Sequence, residues 1–565
     1  MLRDSRLMLV IAVSVMLCAS LYHLEWFGGH EGYSYVIRTL EWAQELRAGS
    51  LYPRWCPDFY GGYGSPLFQF HGVVIYSMAG MLTATFLNAF IALKVVVFFF
   101  SIMSGVGTYA LVYGETRQRE AAFFGAMAYL ASPYRNGNLF ARGDLGEFAC
   151  IALLPVVIAF YRAASREALP QRSRWLAAAG AVTHGVMIMA HPVLGLWGSL
   201  VVGFIVLSSV WWLWSIGVWR RAVPLVLAVA LAPGVAATFI VPAMSYRTLT
   251  RTADMVVGFY MPTDQWLTIE QLFGNHPVFG PNFLAIGPLV ATATLASVLA
   301  LIVNFKKSWA VIGWMALTFA LVYLMLQYAH WFWVPGRVPL SQFIQFPWRL
   351  CGPASLTASI ALGIALAHSR LSESAKGALA IACTVAFIVF TSWPFLTQGQ
   401  APYNGAPQDP DSLRTGMYSA TSENEYVPLT TVVPHKPRGE VVQSSDGAEV
   451  QFASSDGSHH TLGLKAERPN AEVSLGLHFF PGWTMRTLSG PAKAELKVDD
   501  KGRLKVNLPV AGEYRLRVKY GIPPAGVLGG ALSLLSLLAL VLLAVGRANL
   551  SLPSLPWLRT AGGTK

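Results

Sequence analysis

The chain alternates long apolar runs with short polar breaks, and most runs are long enough to cross the roughly 30 Å hydrocarbon core of a bilayer. They lie near residues 7 to 23, 90 to 113, 119 to 133, 147 to 163, 175 to 190, 193 to 216 and 222 to 243. A second set follows near 283 to 304, 309 to 328, 350 to 368, 377 to 397 and 524 to 546, each bounded by charges, Gly or Pro. The stretch from 70 to 87 is also apolar, and the orientation of everything after it depends on whether it crosses. With the N-terminus inside and this stretch not crossing, GETRQRE, RAASREALPQRSR, VWRR, NFKK, HSRLSESAK and the tail after Gly546 all fall on the cytoplasmic side. That obeys the positive-inside rule, so residues 70 to 87 are read as interfacial or re-entrant.

Between 398 and 522 the helical period gives way to alternation. EVVQ, AEVQFA, HTLGLKA, AEVSLGLHF, AELKVDD, RLKVNLPV and EYRLRVKY read as short strands separated by SSDG, SSDG, FPGW and DDKG turns. The expected fold is a polytopic α-helical membrane protein of about 12 spans, with an extracytoplasmic β-sandwich-like domain before the last span. Residues 1–397 form the transmembrane domain, with outer loops 24–89, 134–146, 244–282 and 329–349. Residues 398–522 form a separate β-rich domain, and 523–565 the final span and a cytoplasmic tail.

Composition agrees with lipid as the solvent: 54% of residues are hydrophobic, 12% are charged and mean hydropathy is +0.48. The formal charge of +12 lies mostly in clusters between apolar runs, which makes it a topology signal and not a nucleic-acid footprint. Of the five cysteines, Cys18, Cys150, Cys351 and Cys383 lie in or beside apolar segments and Cys56 stands alone in a polar loop. No disulfide framework or CxxC metal site follows. MLRDSR followed by an apolar run is read as an uncleaved first span, because Leu17 before Cys18 does not suit lipoprotein cleavage.

The candidate chemistry lies in the outer loops. Glu25, His30 and Glu31 stand at the membrane exit, where partial dehydration raises a carboxylate's pKa and suits it to act as a base. In YRNGNLFARGDLGEF, Asp144 and Glu147 are three apart and share a helical face, with Arg142 nearby. Capping alone accounts for Asp144, whereas Glu147 opens an apolar run and must sit at the membrane boundary. Arg54, Arg142, Arg247, Arg251, Arg337 and Arg349 break the positive-inside pattern. In SQFIQFPWRL, Pro347 suits a first helical turn and places Arg349 where its charge opposes the positive helix end, a position that calls for an anion such as a lipid phosphate. His184 and His191 read as packed residues of apolar segments, and the adjacent His459 and His460 point to opposite faces of a strand.

These residues resemble a family. One span, a large outer loop with an acid just past it, a second outer loop with an acid, then many spans, is similar to the GT-C superfamily of membrane glycosyltransferases. LYPRWCPDFYGGYGSPLFQFH, ARGDLGEFACIALLPVVIAFYR and IQFPWRL resemble the bacterial membrane family labelled 6-pyruvoyl-tetrahydropterin synthase-related, and EYVP, FPGW and GEYRLRVKY resemble YfhO-like membrane proteins. The resemblance implies transfer of a sugar from a polyprenyl-phosphate donor to a glycan, lipid or protein acceptor on the outer face of a bacterial inner membrane, among membrane lipids. It implies Glu31 as general base, Asp144 or Glu147 as the second-loop acid and Arg349 as a phosphate-binding arginine; His30, Arg54, Asp58, Arg142, His191 and Gln345 are the further candidate substrate or phosphate ligands. A divalent cation, Mg or Mn, is open, since this loop offers Glu25 and Glu31 but no DxD pattern. A lipid or solute transporter and a non-catalytic envelope scaffold are the alternatives.

Overall fold

Helices begin where the sequence supplies partners for their first amides. Asn88 caps Ala89–Thr116 through Ile91 N, Asp144 caps Leu145–Arg166 through Glu147 N, and His191 caps Pro192–Ser215 through Leu194 N. Prolines open Pro170–Ala190, Pro347–Leu350 and Pro524–Val545, where no amide is needed. The computed structural model describes residues 4–18, 21, 31–252, 261–274, 285–305, 309–339, 341–389, 424–434 and 436–546.

Among the described residues, six helices are long and apolar enough to cross a membrane: Ala89–Thr116, Leu145–Arg166, Pro192–Ser215, Gly287–Asn304, Pro347–Ala367 and Pro524–Val545. The pair Trp219–Val235 and Ala237–Leu249, bent by 54° at its break, passes the same test only when taken together. The other expected spans coincide with helices that are shorter or more polar: Ser5–Met16, Arg119–Leu130, Pro170–Ala190, Trp309–Met325 and Glu373–Phe387. The count of 12 is therefore not reached on length and apolarity. Residues 70 to 87 contain a helix, Val74–Thr85, of 12 residues. At about 1.5 Å per residue it is far shorter than a bilayer core.

Pro347–Ala367 is buried along its apolar length and forms the centre of the bundle. Its small residues allow that. A Cβ on Gly363 would lie 2.8 Å from the Ala121 carbonyl, and hydroxyl pairs tie the helix to its neighbours, Ser355 to Ser132 at 2.9 Å and Thr357 to Thr318 at 2.8 Å. The break at Ala236 is repaired from outside: Ser533 of the last span donates to Val235 O at 2.9 Å and accepts from Thr238 N at 2.8 Å.

Charge gathers at the two ends of Leu145–Arg166. At its C-terminal end Glu115 binds Arg162 and Arg166, and Arg6 pairs Glu120 at 2.7 Å. At its N-terminal end stand Asp144 and Glu147. The helix has 22 residues, about 33 Å at 1.5 Å each, so the two polar layers are separated by about one bilayer core.

The C-terminal domain has eight strands: β1 Val442–Asp446, β2 Ala448–Asp456, β3 His459–Ala466, β4 Ala471–His478, β5 Trp483–Ser489, β6 Glu495–Val498, β7 Arg503–Leu508 and β8 Gly512–Tyr520. They form two antiparallel sheets in the orders β1-β4-β7-β6 and β2-β3-β8-β5. The alternating residues Leu462, Leu464, Val473, Leu475, Val506, Leu516 and Val518 are fully buried. β5 was not expected, because WTMRTLS carries little apolar contrast and follows a turn.

Far from being merely tethered, this domain is docked onto the segment between residues 45 and 69. Trp55 stacks on Tyr520 at 4.8 Å and meets Trp483 edge-on at 5.4 Å, and Gln69 donates to Tyr520 Oη at 2.6 Å. The wholly buried Glu45 carboxylate accepts from both Ser458 N and Ser458 Oγ at 2.6 Å. Replacing Glu45 by Ala strips two buried donors of their acceptor. A loss of about 1–3 kcal/mol is expected, visible as a lower Tm of the detergent-solubilised protein.

Candidate functional site

Tyr134, Asn138 and Arg142 recur every fourth residue, and the turns Pro133–Gly137 and Asn138–Arg142 bring them to one carboxylate. Glu147 Oε1 accepts from Tyr134 Oη and from Asn138 Nδ2 at 2.9 Å. Its other oxygen accepts from Arg142 Nη1 at 2.8 Å and from Arg349 Nε at 3.1 Å. Arg349 arrives from the first turn of the central helix, as its Pro347 foretold. Within the protein, the anion it meets is this carboxylate. Gln345 and the Ile344 carbonyl accept from Arg349 Nη1 at 2.7 and 3.0 Å.

Arg142 also reaches Asp144 at 3.2 Å. Asp144 Oδ1 takes the Glu147 amide at 2.9 Å and the Tyr35 hydroxyl at 3.1 Å, and His191 Nε2 lies 3.8 Å from Oδ2. His191 Nδ1 accepts from Leu194 N at 3.0 Å, which places the proton on Nε2. Burial opposes the charge of Asp144, but Arg142, His191 and the Glu147 amide outweigh it and hold the carboxyl well below the usual range.

Glu31 is brought beside this loop by the backbone. Its amide donates to the Arg142 carbonyl at 2.9 Å, and Gly143 turns the chain with φ +68° where a Cβ would lie 2.7 Å from Gly32 N. Arg38, two turns along the helix Gly32–Arg47, approaches Glu31 Oε2 at 3.8 Å and His71 Nε2 at 3.3 Å. His71 in turn bonds Tyr76 through Nδ1. The Glu31 side chain keeps 35% of its surface open. Burial of its surroundings and the charge of Asp144 nevertheless push its carboxyl up to about 7, against Arg38, Arg142 and Arg349. The two acids are thus driven in opposite directions, Asp144 down and Glu31 up.

Glu31, Arg142, Asp144, Glu147, His191, Gln345 and Arg349 therefore converge. Arg54 and Asp58 do not join them. Arg54 lies over the Tyr52 ring at 4.6 Å and donates to Thr238, and the Asp58 amide donates to Glu41 at 3.0 Å, because residues 51–66 fold as a packed loop under the β domain. His30 lies outside the described residues. Sequence reasoning missed Tyr35, Arg38, His71, Tyr134 and Asn138. The spacings 31, 35, 38 and 134, 138, 142 on single helical faces were the available signal.

Asp144, Glu147 and His191 offer ligand atoms within 4.8 Å of one another, a spacing that a cation needs. The donor set is already spent. Both Glu147 oxygens and Asp144 Oδ1 each accept two hydrogen bonds, two guanidinium groups flank the acids, and His191 Nε2 bears a proton. As arranged, these residues do not fit a divalent cation.

No family model and no curated protein matches the chain. Among solved structures it is similar to the arabinofuranosyltransferase AftD from mycobacteria, with a TM-score of 0.46 and 18% identity over 71% of this chain and 27% of that one. It is also similar to the archaeal oligosaccharyltransferase AglB from Archaeoglobus fulgidus, solved with an inhibitory peptide and a dolichol-phosphate, with a TM-score of 0.42 and 12% identity over 75% of this chain and 61% of that one. The chain thus spans about a quarter of the length of the first and under two thirds of the second. Likeness at these scores assigns neither reaction nor substrate to this chain.

Replacing Glu147 by Ala would leave Arg142 and Arg349 buried without their shared anion. A destabilisation of about 3–5 kcal/mol is expected, measured as loss of folded protein in detergent or a collapse of Tm, with Glu147→Gln less severe.

Proposed function

We propose that the protein is a membrane glycosyltransferase that moves a sugar from a polyprenyl-phosphate donor to a hydroxyl-bearing glycan, lipid or protein acceptor on the extracytoplasmic face of a bacterial inner membrane. The observation that carries this reading is the placing of Glu31: a carboxyl 35% open, 3.8 Å from Arg38 and with its amide bonded to the Arg142 carbonyl, at one end of a membrane-length helix. A base poised near neutrality and a nearby positive surface are what attack by a hydroxyl on a phosphate-activated carbon requires.

In the proposed reaction Glu31 takes the proton of the acceptor hydroxyl as its oxygen bonds to the anomeric carbon. The bond from that carbon to the donor phosphate breaks, and the lipid phosphate leaves with the electron pair. In-line attack inverts the anomeric centre. Arg349 Nη2, which donates to none of the described residues, is the group offered to the departing phosphate, while Nε and Nη1 fix its plane against Glu147 and Gln345. Asp144 and Glu147 hold the arginines and do not accept protons. The arginines take the place of a cation, so no step is routed through a metal.

Three outcomes test this in purified protein supplied with a polyprenyl-phosphate sugar. Glu31→Gln should retain its fold and lose transfer by about 10²–10⁴-fold, and undiminished transfer by a well-expressed variant would remove Glu31 from the mechanism. Because protonated Glu31 cannot accept a proton, kcat/KM should rise with pH up to about 7 and then level off. Chelation with EDTA should leave the rate unchanged, and loss of activity restored by Mn²⁺ or Mg²⁺ would refute the arginine assignment.

A further inference from the structure

The EYVP stretch, residues 425 to 428, is not used by the mechanism above. It belongs to a strap that leads into the β domain and is clamped on two sides. Pro428 pairs with Thr250, Leu429 N donates to Leu249 O at 2.9 Å, and a Cβ on Gly502, in the turn before β7, would lie 2.4 Å from Thr430 O. Val427 is fully buried and Tyr426 is 6% exposed. The Tyr426 ring stacks on Phe70 at 5.6 Å with planes 5° apart, and meets His71 edge-on at 6.4 Å. Its position is thus set by rigid packing.

A ring in that stack need not carry a hydroxyl, since Phe70 fills the other half without one. The Tyr426 hydroxyl donates to none of the described residues; its ring borders His71, which lies 3.3 Å from Arg38 and through it next to Glu31, and the charges of Glu425, Arg38, Glu31 and Arg349 act on it. A phenol held among charged groups with no acceptor among the described residues is suited to a partner that enters and leaves.

We infer that Tyr426 is a substrate-contacting residue, whose hydroxyl hydrogen-bonds a ring hydroxyl of the sugar beside Glu31, so that the β-domain strap contributes to sugar selection. This rests on the glycosyltransferase reading for the identity of the ligand as a sugar. Because the ring makes the stack and the hydroxyl donates to none of the described residues, Tyr426→Phe removes the hydroxyl and keeps the packing.

The test is equilibrium binding of a panel of methyl pyranosides and furanosides to the full-length protein in detergent, followed by ligand-induced change in Tm and by tryptophan fluorescence. At least one glycoside should bind the unaltered protein, and Tyr426→Phe should bind it about three- to tenfold more weakly while keeping its ligand-free Tm. The same glycoside lacking one hydroxyl should bind both proteins equally. Equal binding of the intact glycoside by Tyr426→Phe, or no binding of any glycoside by the unaltered protein, would overturn the assignment. Glycoside binding that depends on Tyr426, in a protein that transfers no sugar, would uphold it and refute only the transferase reading.

Discussion

Arg142 joins the three acids of the site through two different kinds of bond. Its side chain pairs with Asp144 and Glu147, and its backbone carbonyl receives the Glu31 amide. A guanidinium buried at a membrane boundary must be paired, which forces Glu147 and Asp144 toward it. The same residue's carbonyl then fixes where the first loop begins. Arg349 completes the arrangement from the central helix, so the cluster ties the first loop, the second loop and the bundle centre into one unit.

The bundle gives this unit its setting. Leu145–Arg166 separates the Asp144 end from the Arg162 and Arg166 end by about one bilayer core, so the chemistry is confined to one polar layer. Lipid leaves no water to satisfy stray backbone groups. The bent pair therefore depends on Ser533 for its repair, which binds the last span to the bundle and with it the strand β8 that precedes it. The β domain is in turn held by Glu45, Gln69 and Trp55 of the first loop. Its leading strap reaches back to place Tyr426 beside Phe70 and His71, so the domain contributes to the walls of the site.

The membrane class, the positions of the major apolar helices, the β module and most of the convergent site residues follow from the sequence alone. Apolar length, alternation and misplaced charge are local properties, written in the spacing of neighbouring residues. Asp144, Glu147 and Arg349 were legible because a charge at the start of an apolar run is costly and needs a reason. Only the tertiary structure decided which protein charges meet: Arg349 pairs with Glu147, 202 residues away. Arg54 and Asp58 show the converse, since their types suited a binding site and packing assigned them to the loop beneath the β domain. Which charge pairs with which depends on distances between segments far apart in the chain. No local pattern encodes those distances, because they are set by how the helices pack.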